Sequence, residues 1–281
     1  MIDLETHAAR VQPALSTQPY DRWVTAEGEV KAEFHRLPHG ILLRFPDEAD
    51  FAIDLDRGCA AGWPAPDTRP EHFDSLFRHG VVPMVGNHRG GLFLHGSAVA
   101  IDGRAVAFLG LSRSGKTTLA GAMAKAGYPF LTEDVIDLER AGDGAYMLQP
   151  KASLLRLFVD SAAFLLDRTF DDADEEDKQS LPGGDAIPFS DIPCQLDRIY
   201  LLGRDPAAAL SIQPLEGHTA LVMLLPHAFV LDVEDKPRLK RHFGRIAELA
   251  EQIGCRTLDY PRRYEDLAAV TGAILADLQS N

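Results

Sequence analysis

Arg104-Ala105-Val106-Ala107-Phe108-Leu109-Gly110-Leu111-Ser112-Arg113-Ser114-Gly115-Lys116-Thr117-Thr118-Leu119 is the stretch from which the fold is read. An apolar run at 105–109 predicts a buried strand. Residues 110–117 then match the spacing G-x-x-x-x-G-K-[ST], which is specific only when a strand precedes it and a helix follows. The helix is expected over 118–126, rich in Ala, Leu, Met and Lys, with Gly127 as its stop. Glycines at 110 and 115 let the main chain curl without a Cβ, so that its N–H groups and the positive end of the helix converge on one point. A polyphosphate is the ligand such a point suits. Gly110, Ser112, Ser114, Gly115 and Thr118 are expected to line the cradle, and Lys116 to bring a mobile charge to the β and γ phosphates. The Thr117 hydroxyl is placed on a bridging Mg²⁺. ATP and Mg²⁺ are therefore the expected cofactors. Arg113 faces either solvent or phosphate, and the sequence does not choose between them.

Upstream, the nearly unbroken apolar run at 91–101, the Asp102-Gly103 turn signal and the strand at 104–109 predict a β-hairpin that feeds the loop. Downstream, residues 128–138 are expected to form one buried strand lying beside the first in a βαβ unit. It carries Glu133 and Asp134 to the same crevice. One carboxylate can reach a metal and the other can accept the proton of an attacking hydroxyl. His95 stands at the start of the hairpin, where a structural and a catalytic histidine read alike. Further strands are expected at 146–149, 154–158, 198–203, 210–214 and 256–260, and helices at 161–166, 218–229, 238–253 and 264–278. Together these predict a mixed-sheet α/β core. Residues 1–85 read as a small β-rich N-terminal region with a strand at 40–45, and 86–281 as the kinase-type domain. A helix over 71–85 leads from one to the other.

Forty-two acidic against 28 basic side chains, a formal charge of −14, disfavour nucleic acid. No apolar run is long enough to span a membrane as a helix. Cys59, Cys194 and Cys255 are scattered and odd in number, which points to reduced thiols and a cytoplasmic setting. The run Asp171, Asp172, Asp174, Glu175, Glu176 and Asp177 reads as a solvated loop.

His95-Gly96-Ser97, residues 110–117 and Leu131-Thr132-Glu133-Asp134 together resemble the catalytic domain of HPr kinase/phosphorylase. They resemble still more its stand-alone relatives, such as the kinases of lasso-peptide precursors. Lys116 follows His95 by 21 residues, the family's spacing. The resemblance implies a P-loop kinase core with a mixed sheet, like that of HPr kinase and phosphoenolpyruvate carboxykinase. It implies Asp134 as general base, Glu133 as its acidic and metal-binding neighbour, and His95 as a catalytic histidine near the pair. Arg156 and Lys178 fall near basic positions of relatives that touch substrate or phosphate. This chain has Glu-Asp where the family has Asp-Asp. The implied activity is transfer from Mg·ATP to a Ser or Thr hydroxyl of a peptide or protein, with homo-oligomers expected. Reversal by phosphate, a small-molecule acceptor and a non-transferring ATPase switch remain as alternatives. The metal-binding and substrate-binding residues of a carboxykinase are not found.

Overall fold

The computed structural model describes residues 2–25, 28–151, 154–167, 178–184 and 187–280, with the backbone alone for Lys178, Gln179 and Pro182. The acidic run at 171–177 lies outside the described residues. The chain forms two compact units, Met1–Gly90 with Phe229–His242, and Gly91–Ala228 with Phe243–Asn281. Contiguous regions 1–85 and 86–281 do not describe this division, because 229–242 packs with the first unit.

In the first unit, β1 (Asp3–Thr6), β2 (Asp21–Val24), β3 (Val30–Leu37), β4 (Gly40–Phe45), β5 (Ala49–Asp54) and β6 (Cys59–Pro64) form one sheet in the order β1-β6-β5-β4-β3-β2. Its strands β2 to β6 run as an antiparallel meander, and β1 adds parallel to β6. Phe51 stacks on Phe73 at 5.0 Å, which seals the apolar face beneath α1 (Pro70–Leu76). A π-helical turn, Phe77–Val81, joins α1 to α2 (Val82–His88). On the other face Asp50, 1% exposed, takes a two-point ion pair from Arg44.

The second unit opens with β7 (Leu92–Leu94), β8 (Gly96–Ile101) and β9 (Arg104–Leu109), then α3 (Lys116–Lys125), β10 (Phe130–Thr132) and β11 (Ile136–Arg140). Next come β12 (Tyr146–Gln149), β13 (Leu154–Phe158), α4 (Val159–Leu166), β14 (Lys178–Pro182) and β15 (Cys194–Leu202). The chain ends with β16 (Ser211–Pro214), α5 (Gly217–Leu224), α6 (Lys236–Gln252), β17 (Gly254–Asp259) and α7 (Leu267–Gln279). Among the described residues a nine-stranded mixed sheet runs β10-β8-β9-β15, with β17 parallel to β15 and β16 antiparallel to β17. At the start of β15 the sheet continues through β12-β11-β7. Alternation along β9 builds both faces: Val106 and Phe108 pack with Leu119 and Met123 of α3 and Val270 and Ile274 of α7. Ala105, Ala107 and Leu109 pack with Ala220 and Leu224 of α5 and Ile246 and Leu249 of α6.

The β8–β9 turn has Asp102 at φ 50° and Gly103 at φ 77°, the left-handed pair a two-residue hairpin needs. Three expectations about the strands are corrected. The run at 91–101 breaks at His95, so that β7 pairs with β11 while β8 pairs with β9 and β10. Residues 128–138 form two strands, not one, because Asp134 takes φ 61°. Finally, β10 does not border β9: β8 lies between them, and the neighbour on the other side is β15. The expected helix at 218–229 also stops early, at Leu224, ahead of Pro226.

One polar cluster ties α7 to the sheet. Asp277 accepts hydrogen bonds from Arg198 Nη1 at 2.8 Å and Tyr200 OH at 2.7 Å, and pairs with Arg256 Nε at 3.4 Å. Arg198 is 1% exposed. The Asp277→Ala variant leaves that guanidinium without its carboxylate, so urea unfolding should show a loss of about 3–5 kcal/mol. An Arg263→Ala control, at an exposed pair, should stay within about 1 kcal/mol of the parent.

Candidate active site

Residues 110–115 connect β9 to α3 at the carboxyl end of the central strands. Arg113 (φ 61°) and Gly115 (φ 89°) both turn left-handed, and Ser114 N–H closes a turn onto Leu111 O at 3.2 Å. The first helical bond runs from Leu119 N–H to Gly115 O, and the helix start has no side-chain cap. Its leading N–H groups therefore remain for another acceptor. A Cβ on Gly110 would fall 2.5 Å from Ser114 Oγ, and that hydroxyl is buried with no partner among the described residues. Lys116 is 6% exposed and donates from Nζ to the carbonyls of Gly110 and Leu111, both at 2.9 Å. The ammonium is thus buried at the positive end of α3. An orphaned hydroxyl, an uncapped helix and a loop too tight for a Cβ fit a bound polyphosphate.

The Thr117 side chain is half-buried and makes no hydrogen bond among the described residues. Thr118 differs: its Oγ1 shares a hydrogen bond with Ser161 Oγ at 3.0 Å, in a chain that continues to Tyr264 OH and Asp160. The Thr118 hydroxyl thus faces α4, which leaves its main chain for the loop. Ser112 is exposed, and the Arg113 guanidinium lies 5.3 Å from the Phe158 ring.

Glu133 and Asp134 sit on a three-residue turn between β10 and β11, closed by Val135 N–H to Glu133 O at 2.7 Å. A turn of this kind with positive φ is rare and strained. It persists because the Asp134 carbonyl accepts from Gly96 N–H at 3.3 Å and from His95 Nδ1 at 2.9 Å. A carbonyl only accepts, so His95 Nδ1 carries the proton, and Nε2 is the basic nitrogen when the ring is neutral. His95 therefore acts on the main chain that presents Asp134. The turn aims both carboxylates at Arg156 of β13. Its main-chain N–H donates to Glu133 Oε2, its Nη2 donates to Asp134 Oδ2, and its Nε lies 3.6 Å from Glu133 Oε1. Lys178 aligns with Phe158 across the β13–β14 pair, and its side chain is outside the described residues.

His227, Tyr260 and Arg262 also stand here, and the sequence did not single them out. His227 O accepts His95 N–H at 2.7 Å. Its imidazole is 8% exposed, and burial first, then His95 and Lys116, push its pKa down to about 4. Pro226, which ends α5, was the available signal that a loop begins at this point. Tyr260 and Arg262 follow β17, parallel to β15 and hence to β9, and loops at one end of parallel strands meet. Among the described residues no group of three or more His, Cys, Asp and Glu side chains is gathered for a metal. Mg²⁺ seldom needs such a cage, since waters and phosphates supply most of its ligands. No helix among those residues is long and apolar enough to cross a membrane.

The chain matches no family model and no curated protein significantly. Among solved structures it is similar to the HPr(Ser) kinase/phosphatase from Coxiella burnetii, at 13% identity and a TM-score of 0.35. That likeness covers 66% of this chain and 97% of the other. At that score the reading of the site stands on the geometry above.

His227 yields a signed pH prediction. Its folded pKa, near 4, lies below the ordinary 6.5, so between these values the unfolded chain takes up a proton that the folded chain refuses. Its contribution is complete above pH 6.5 and falls by up to about 3 kcal/mol as pH drops to 4. Unfolding at pH 7 and pH 4.5 should show a smaller acid loss in His227→Gln than in the parent, and NMR should place the imidazole midpoint near 4.

Proposed function

We propose that the chain is a Mg·ATP-dependent kinase that phosphorylates a Ser- or Thr-type hydroxyl of a peptide or protein, a lasso-peptide precursor being one candidate. One observation carries this reading. The Lys116 loop and the Asp134 turn share a neighbourhood: Gly96 pairs with Leu109, the residue just before the loop, and Gly96 N–H and His95 Nδ1 both donate to the Asp134 carbonyl. A phosphate cradle alone would suit any nucleotide-binding protein. A carboxylate turn held beside it supplies the proton acceptor that transfer to an alcohol requires.

In this mechanism the N–H groups opening α3, with Gly110, Ser112, Ser114 and Gly115, receive the β phosphate, while Lys116 leaves the loop carbonyls for the β and γ oxygens. Thr117, with Glu133 or Asp134, would hold Mg²⁺, which when bound neutralises charge on the phosphate oxygens. Asp134 takes the proton of the acceptor hydroxyl as it attacks. Before that, Arg156 neutralises both carboxylates. Exchange of this partner for substrate frees Asp134 and brings the guanidinium to the transferring group. His95 keeps the Asp134 main chain in its strained turn. The acceptor class is drawn from the resemblance of residues 95–134 to the stand-alone kinases.

The test offers labelled ATP and Mg²⁺ with a precursor peptide, an HPr-type protein and a metabolite panel. One acceptor should take label. Asp134→Asn should lower transfer by about 10²–10⁴-fold with ATP still bound, and Lys116→Ala should abolish it. Label found in inorganic phosphate alone would make the protein a non-transferring ATPase, and unimpaired transfer in Asp134→Asn would remove the mechanism.

A further inference from the structure

Arg262 stands against the cradle in an arrangement the kinase reading has not used. It follows β17, and its guanidinium lies 3.7 Å from the centroid of the Tyr260 ring. Nη1 donates to Tyr260 O and Nη2 to Gly203 O, each at 2.9 Å, so one cation ties together the chain after β17 and the chain after β15. A Cβ on Gly115 would meet Tyr260 OH at 3.1 Å, Arg262 Cδ at 3.7 Å and Arg262 Nε at 3.9 Å. The Nε edge of the guanidinium thus borders the residue that caps α3.

Charge separates Arg262 from its neighbours. Arg263 pairs with Asp266 and Glu265, Arg156 with Glu133 and Asp134, and Arg198 and Arg256 with Asp277. Arg262 is bonded to neutral carbonyls and, among the described residues, to no carboxylate. In a chain of formal charge −14, a half-buried guanidinium held by neutral carbonyls, with no carboxylate among the described residues, is suited to take an anion. A guanidinium has five N–H groups, and the two carbonyl bonds leave three for that anion.

We infer that Arg262 is a phosphate-binding residue of the nucleotide site, contacting the polyphosphate from beside Gly115. The inference rests on the nucleotide reading of residues 110–117. Geometry favours phosphate over the base, since the Nε edge lies beside Gly115, the residue at the uncapped start of α3.

The experiment measures binding of ATP and of inorganic tripolyphosphate to the full chain by calorimetry, with thermal unfolding of each variant alongside. Arg262→Gln and Arg262→Met, the latter keeping the stem on Tyr260, should weaken both ligands by about tenfold or more. Arg262→Lys should retain most of the affinity, and the parent should lose affinity more steeply with salt than either neutral variant. Unchanged tripolyphosphate binding in both neutral variants overturns the inference, as does a loss for ATP alone, which would mark a base contact. Equal losses in the Lys, Gln and Met variants, tracking a fall in Tm, would make Arg262 a structural brace. A parent that binds neither ligand sinks the nucleotide reading itself, an outcome distinct from the others.

Discussion

The site depends on one electrostatic constraint: the first turn of α3 must stay uncapped while a lysine is buried at its positive end. In an ordinary helix an Asp or Ser would cap that turn, and Lys116 would sit in solvent. Here the cap is Gly115 in a left-handed conformation, and the ammonium is folded back on the carbonyls of its own loop. Both features depart from the ordinary start of a helix. Rules of local structure broken together at one spot mark function more reliably than any single residue does.

The sheet holds this strained loop in place. Phe108 and Val106 on one face and Ala105 and Ala107 on the other anchor β9 between two apolar clusters. The small alanines suit the face against α5 and α6, and the larger side chains fill the face against α3. Burial of each large side chain contributes about 1.5–3 kcal/mol, enough in sum to absorb several left-handed residues at the strand's end.

A second strained element answers the first. The turn at Asp134 is held by His95 and Gly96, which both bond its carbonyl, and it presents two carboxylates to one arginine. Arg156 meets them through its main chain and its side chain together. In the proposed mechanism, substrate replaces the groups that hold Lys116 and Asp134.

Local spacing alone determined the loop, its strand and its helix, since the left-handed glycines, the turn at Asp102 and Gly103 and the period-two alternation are short-range effects. The strand order was not legible. Whether β8 or β10 borders β9 depends on which edge is left open after the hairpin folds, a matter of long-range pairing. The break at Asp134 was hidden for a similar reason, because an apolar run at 128–138 reads as continuous until His95 supplies the bond that makes the turn affordable. His227 and Arg262 lie 93 and 128 residues beyond Asp134, and no spacing rule links them to it, while Arg156, 22 residues beyond Asp134, was reached only through the family resemblance. Residue chemistry and local geometry were therefore set by the sequence by itself, while the tertiary structure decided which charges meet, because Coulomb and hydrogen-bond partners are chosen by the sheet's topology and not by distance along the chain.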